Sequence, residues 1–125
     1  SDLPIREQMA KAVEALNQRD FSALERLFDA DAVLDMPDGQ RVIGFDSLRD
    51  TLSAYLLRHD VRFANGVAMA DDAGLRGAYD GTISGIEGQE TSGHAGQRFT
   101  LPCVLVFESE DDRLVRLSLY LSTAP

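Results

Sequence analysis

The apolar positions in the first half of the chain recur with the three- and four-residue spacing of amphipathic helices. Asp2 is a candidate N-cap of a first helix, in which Pro4 suits the first turn. Asp20 is a candidate N-cap of a second, short helix, and Asp46 lies at the start of a third. The residues that would share the apolar face of the first helix are Ile5, Met9, Ala12, Val13 and Leu16. Residues 32–36 and 41–43 read as two short strands around a Pro-Asp-Gly turn.

The pattern changes after residue 59 from helical spacing to alternation. Residues 61–70, 75–86, 99–108 and 114–122 each read as a strand, and acidic or glycine-rich turns separate them. Helices in the first half and hairpin-linked strands in the second predict an α+β fold with an antiparallel sheet.

Composition narrows the classes of partner. The 125 residues predict one domain over residues 1–125, and 21 acidic against 12 basic side chains leave a formal charge of −9. Such a chain repels nucleic acid and anionic membrane surfaces, so we expect neither as a partner. The single cysteine, Cys103, rules out an internal disulfide and a cysteine-based zinc site. We therefore expect a cytoplasmic protein with no metal and no cofactor.

Several segments, in this order and spacing, resemble the nuclear transport factor 2-like fold, and most closely its SnoaL-like polyketide cyclases and ketosteroid isomerases. The segments are residues 16–21 (LNQRDF), 27–33 (LFDADAV), 37–39 (PDG), 44–48 (GFDSL) and 113–115 (RLV). The resemblance implies a cone, in which a curved antiparallel sheet wraps around the three helices and leaves a pocket near one end. It also implies a homodimer packed through the outer face of the sheet.

The positions that carry isomerase chemistry in that family are apolar in this chain. Met36 stands where the general base is expected, and Ala12 and Val104 stand where the oxyanion donors are expected. None of these side chains can transfer a proton, which excludes the isomerase mechanism. The last strand also lacks the acidic residue of the polyketide cyclases.

Strand alternation gives the pocket a provisional lining. If Met36, Val104 and Leu117 point inward, as the resemblance implies, other residues of their strands, of the third and fourth strands and of the third helix join them. The predicted ligand-binding residues are Met36, Tyr55, Asn65, Tyr79, Thr100, Val104, Leu117 and Leu119. Alternatively, the polar members satisfy one another inside a filled core.

Three residues are candidates for proton transfer: His94, Tyr79 and Asp35. His94 would act only if its glycine-rich loop folded over the mouth of the cone, and it is otherwise a solvated loop residue. Asp35 has the opposite strand parity to Met36, so a bulge would be needed to turn it inward. A solvated or ion-paired Asp35 is the simpler interpretation. His59 suits the C-terminal end of the third helix.

Cys103 alternates with Leu101, Leu105 and Phe107 on the face that this parity places outside the pocket. An apolar outer face needs a cover, and a second subunit is the expected one. Three hypotheses follow: a dimeric domain that binds a small, largely apolar molecule, an enzyme that transfers protons on a carbonyl or polyketide-like substrate, and a non-catalytic interaction module.

Overall fold

The computed structural model describes residues 3–87 and 96–122. The elements in chain order are α1 (Ile5–Gln18), α2 (Phe21–Leu27), β1 (Phe28–Asp35), β2 (Arg41–Ile43), α3 (Phe45–His59), β3 (Arg62–Ala70), β4 (Arg76–Ile86), β5 (Arg98–Glu110) and β6 (Arg113–Leu121). The predicted α+β arrangement is confirmed.

Local signals in the sequence explain where the helices begin and end. The side chain of Asp20 accepts a hydrogen bond of 3.0 Å from the amide of Ala23, as expected of the N-cap of α2. α3 begins after Gly44, whose φ of 97° favours glycine. Pro4 takes the N-cap position of α1 and makes no side-chain cap. Asp2, predicted for that role, lies outside the described residues. None of the described helices combines the length and the apolar character that a membrane crossing requires.

The six strands form one curved, open sheet in the order β2-β1-β6-β5-β4-β3. Every pairing is antiparallel except that of β1 with β6, which is parallel. The predicted sheet is therefore corrected from antiparallel to mixed. A hairpin forces its two strands to be antiparallel, but β1 and β6 come from opposite ends of the chain and no hairpin sets their relative direction.

The three helices cover one face of this sheet, which we call the inner face, and the core lies between them. On β5 the inner face carries Cys103, Leu105 and Phe107, all buried. Leu105 pairs with Leu119 and Phe107 with Leu117, so these four side chains share one face. Other core residues come from the helices and β1, among them Met9, Ala12, Leu16, Leu34, Leu48 and Leu52.

This arrangement reverses the predicted faces of β5. Val104 is part-exposed on the other face, which we call the outer face, and Cys103 points into the core of the single chain. The error was an offset of one residue on this strand, which transfers every side chain to the opposite face.

Ion pairs cover part of the outer face. Asp35 forms a two-point contact with Arg41, at 2.6 and 3.0 Å, and accepts a hydrogen bond of 2.9 Å from Ser118. Arg116 lies 3.5 Å from Asp35 and also pairs with Glu108. The apolar surface that was expected to need a second subunit is therefore the core, and the homodimer stays a prediction without that support.

Candidate functional site

A pocket opens at the end of the core, between the C-terminal half of α3 and the turn that follows β1. Its volume is about 330 Å³. We call it the mouth pocket, and it is lined by Met36, Pro37, Asp38, Gln40, Thr51, Ala54, Tyr55, Arg58 and His59. Two of the predicted ligand-binding residues, Met36 and Tyr55, therefore lie in one pocket.

The lining follows from helical spacing and a tight turn. Thr51, Tyr55 and His59 are four residues apart on α3, which places them on one side of the helix. The rings of Tyr55 and His59 pack with their centroids 5.1 Å apart. The opposite wall is the turn between β1 and β2, which is closed by hydrogen bonds from the Met36 amide to the Gln40 carbonyl and from the Gly39 amide to the Met36 carbonyl.

The ring of His59 is held in one orientation. Its Nδ1 lies 2.9 Å from the carbonyl oxygen of Ile86 at the end of β4. A carbonyl oxygen can only accept, so Nδ1 carries the hydrogen, and Nε2 of the neutral ring is left as an acceptor. Phe99 packs edge-on against the same ring, with centroids 6.4 Å apart. Nε2 makes no hydrogen bond within the described residues, and it is not among the fully buried polar atoms that lack a partner. It is therefore accessible.

The hydroxyl of Tyr55 is accessible for the same reason. It makes no hydrogen bond to any described residue, and it too is absent from the fully buried unpartnered atoms. Burial of the ring, with smaller effects of Cys103 and Asp38, raises the pKa of Tyr55 to about 12. The group is therefore a neutral O–H, able to donate a hydrogen bond, at any physiological pH.

The other predicted ligand-binding residues do not line this pocket. Leu117 and Leu119 are buried in the core. Val104 lies on the outer face. Thr100 is exposed and lines a separate polar groove that also includes Arg19 and Arg98. For Val104 and Thr100 the cause is the same reversal of β5.

Asn65 and Tyr79, which were predicted to contact one ligand together, lie on opposite faces of the sheet. Asn65 sits at a bulge in β3 with φ of 57°, and its amide lies 3.5 Å from the hydroxyl of Thr82 on the outer face. Tyr79 pairs with Leu105 and belongs to the inner face, where its ring lies directly over Gly66. A Cβ on Gly66 would fall 1.8 Å from the ring carbon Cζ, so the absence of a side chain there makes room for Tyr79.

The three candidates for proton transfer are not brought together. Asp35 is engaged on the outer face, where the Arg41 hydrogen bond outweighs burial and lowers the pKa of its carboxyl group. Tyr79 is on the inner face. His94 lies outside the described residues. Among residues 3–87 and 96–122, no group of three or more histidine, cysteine, aspartate or glutamate side chains is placed to hold a metal ion.

A second concavity lies at the other end of the molecule, between the start of α1 and the turns that follow β3 and β5. Its volume is larger, about 750 Å³. Its lining includes four aspartates, Asp71, Asp72, Asp111 and Asp112, and no aromatic residue. The mouth pocket is smaller, but its lining is mainly apolar and includes the rings of Tyr55 and His59, as is common in ligand sites.

A curved sheet packed on three helices, with a pocket at the end of the core, defines a nuclear transport factor 2-like α+β cone. Within that class the chain belongs to the SnoaL-like domain family, which matches residues 9–117. No curated protein matches the chain.

Solved structures confirm the fold. A candidate polyketide cyclase from Xanthomonas campestris superposes with a TM-score of 0.86 at 23% identity, covering 94% of this chain and 90% of that one. One from Pseudomonas putida gives 0.86 at 23% identity, with 96% and 92% covered. A candidate ketosteroid isomerase from Kribbella flavida gives 0.74 at 20% identity, with 97% and 79% covered. At these identities the likeness concerns the fold alone.

The functional candidate that the sequence reasoning passed over is His59. It was assigned only to the end of α3, where it does stand. The available signal was its position four residues after Tyr55, which was already expected to reach the pocket. Two residues at that spacing lie on the same side of a helix.

Proposed function

We propose that this SnoaL-like domain binds a small, largely apolar molecule in the mouth pocket. The observation that carries the proposal is the composition of the lining. Met36, Pro37 and Ala54 provide apolar surface, while Tyr55 and His59 present accessible polar atoms. A volume of about 330 Å³ is at the lower end of the range of roughly 300–1,000 Å³ for ligand pockets, which suits a molecule of one or two rings.

The ligand would occupy the end of the cone and not its centre. Between the helices and the sheet the space is filled by buried side chains such as Met9, Leu52 and Phe107. Fold relatives described as candidate polyketide cyclases support an organic ligand.

The enzymatic alternative required at least two of its three candidate residues to act together, and Asp35 and Tyr79 do not meet this condition. Asp35 and Tyr79 lie on opposite faces of the sheet, so they cannot act on one substrate. Met36 and Ala12 are apolar residues buried in the core, and neither can accept or donate a proton. A ligand-binding role needs none of these groups.

The homodimer through the outer face remains our expectation. Exposed Val67, Met69 and Tyr120 would supply apolar contacts there, beside the ion pairs of Asp35 and Glu108. Analytical ultracentrifugation of the purified protein would test for this homodimer, and a monomer at high protein concentration would contradict it.

The three methionines provide a direct test of ligand binding. Met36 lines the mouth pocket, Met9 is fully buried in the core, and Met69 is 46% exposed on the outer face. In protein labelled with ¹³C at the methionine methyl groups, one- and two-ring aromatic compounds should shift the Met36 signal. The Met69 signal should stay in place, since Met69 lies on the outer face and does not line the mouth pocket.

Blocking variants complete the experiment. Ala54→Phe should fill the pocket and abolish the Met36 shift, whereas Leu57→Phe should not, because Leu57 is 82% exposed on the same helix and lies outside the pocket. Equal shifts of Met36 and Met69, or binding that survives in Ala54→Phe, would contradict the proposed site.

A further inference from the structure

Two accessible polar atoms of the mouth pocket have complementary hydrogen-bonding roles. His59 Nε2 is an acceptor, because Nδ1–H is committed to the Ile86 carbonyl. The Tyr55 hydroxyl is a neutral group that can donate. Both belong to neighbouring rings on one side of α3, with centroids 5.1 Å apart.

We propose that His59 and Tyr55 select a ligand that carries a hydroxyl group, and that they hold this group between them. The proposal rests on the proposed function, since it names the polar group by which the mouth pocket would recognise its ligand. The ligand hydroxyl donates its hydrogen to His59 Nε2, and its oxygen accepts the hydrogen of Tyr55.

A hydroxyl is the simplest group that satisfies both atoms at one point. A carbonyl oxygen could accept from Tyr55, but it would meet the lone pair of Nε2 without a hydrogen between them. An ammonium group could donate to Nε2 but could accept nothing from Tyr55. A carboxylate has no hydrogen to give and would face the same lone pair of Nε2. The apolar wall of Met36, Pro37 and Ala54 then takes the hydrocarbon part of the ligand.

The two nitrogens of His59 can be separated by mutation. Asparagine places an N–H near the position of Nδ1 and has nothing at the position of Nε2. His59→Asn should therefore keep the bond to Ile86 and lose the acceptor in the pocket. Glutamine places its amide near Nε2, so His59→Gln should keep the acceptor and lose the bond to Ile86. Comparing these two variants therefore distinguishes ligand recognition by His59 from a structural role of its ring.

The probes are 2-naphthol and 2-methoxynaphthalene, which differ by the hydrogen that Nε2 would accept. Affinities come from the Met36 methyl signal. The wild-type protein should prefer 2-naphthol by about two- to tenfold, since 2-methoxynaphthalene loses only the hydrogen bond to Nε2, which contributes about 0.5–1.5 kcal/mol, and 1.4 kcal/mol is tenfold. Both probe oxygens can accept the hydrogen of Tyr55, so Tyr55→Phe should weaken the binding of the two probes by a similar factor. The preference for 2-naphthol should disappear in His59→Asn. It should remain in His59→Gln, whose melting temperature should instead be lower than that of His59→Asn.

Each outcome decides between the two proposals. If both probes shift Met36 with equal affinity, the hydroxyl inference is wrong and the mouth pocket stands as a binding site. If neither probe shifts Met36, the pocket itself fails as the ligand site. A preference for 2-naphthol that persists in His59→Asn, or unchanged affinities of both probes in Tyr55→Phe, would assign hydroxyl recognition to other residues and overturn the inference. Long-range ¹H–¹⁵N spectra of the histidines give an independent check, because a neutral His59 ring protonated at Nε2 would also overturn it.

Discussion

The two faces of strand β5 differ in chemistry although their residues alternate along one segment. Cys103, Leu105 and Phe107 lie on the inner face and are buried against the helices. Val104 and Glu108 lie on the outer face, where Glu108 joins an ion-paired surface. In the single chain the inner face excludes water and holds the fold together, while Val104 and Glu108 on the outer face are only partly buried. Because a shift of one residue exchanges these environments, the parity of this strand decides which side chains can belong to a pocket.

The largest expected effect separates two adjacent residues of β5. Leu105→Ala should lower the free energy of unfolding by about 3 kcal/mol, because a fully buried leucine is lost and a cavity remains. Val104→Ala should cost less than about 1 kcal/mol, since its side chain is only partly buried. Urea denaturation of both variants measures the difference. If Val104→Ala lowered the free energy of unfolding more than Leu105→Ala does, Val104 and not Leu105 would be the core residue.

The second effect concerns the reactivity of a thiol on each face. Burial, with a smaller effect of Asp80, raises the pKa of Cys103 to about 11. Roughly one such thiol in a thousand is ionised at pH 8, and the thiolate is the reactive form. Under native conditions Cys103 should react with iodoacetamide at least about tenfold more slowly than a cysteine placed on the outer face.

The matched comparison uses the double variant Cys103→Ser/Val104→Cys, which moves the thiol by one position. Mass spectrometry of quenched samples gives both rates, and labelling in urea confirms that the two thiols react alike once the chain is unfolded. Rapid labelling of native Cys103 would show that this face is open to solvent.

The smallest effect is the pH dependence of the ion pairs on the outer face. The Arg41 hydrogen bond lowers the pKa of Asp35 below its ordinary value of 3.8. A lowered pKa contributes stability that is present above the unfolded-state pKa and is lost as the pH falls through the folded-state value. Asp35→Asn should therefore lose about 1 kcal/mol at pH 7, a modest amount because Arg41 is 57% exposed. The difference from wild type should shrink as the pH drops below about 4.

Asp46→Asn is the matched control, because Asp46 is 87% exposed and contacts Arg49 at 3.6 Å. Its stability should change by no more than a few tenths of a kcal/mol. In Asp35→Asn the Met36 methyl signal should still respond to ligand as in the wild-type protein. If the Met36 signal no longer responded to ligand in Asp35→Asn, Asp35 would have to be counted as part of the binding site.

Much of the fold could be predicted from the sequence, because its signals are local. The spacing of apolar residues indicated α1 and α3, and the Asp20 cap of α2 was read directly from the residue type. The boundaries of β2 were predicted as they are found, and β3 and β4 begin one residue from the predicted positions. The parallel partnership of β1 with β6 could not be read in this way, because it joins residues about eighty positions apart.

Only part of the pocket lining could be predicted, because only some of its residues lie in recognisable local patterns. Met36 follows β1 before a recognisable turn and Tyr55 lies on a periodic helix, so local patterns sufficed for both. Val104 and Thr100 were predicted to line the pocket because the resemblance was applied to β5 with an offset of one residue. His59 acquires its orientation from a carbonyl on β4, twenty-seven residues further along the chain. No local pattern indicates that contact.

The parallel pairing of β1 with β6 has a consequence for the order in which the chain assembles. Leu34 lies beside Leu117 in the middle of the sheet, so β1 and β2 gain their neighbour only when the last strand arrives. During synthesis the ribosome releases α1, α2 and β1 long before β6, and until then one edge of β1 has no partner. Contacts between such distant residues close a long loop and slow the search for the native state. An incomplete chain that ends before Arg113 would expose that edge of β1, which is the kind of surface that chaperones shield and that aggregates recruit.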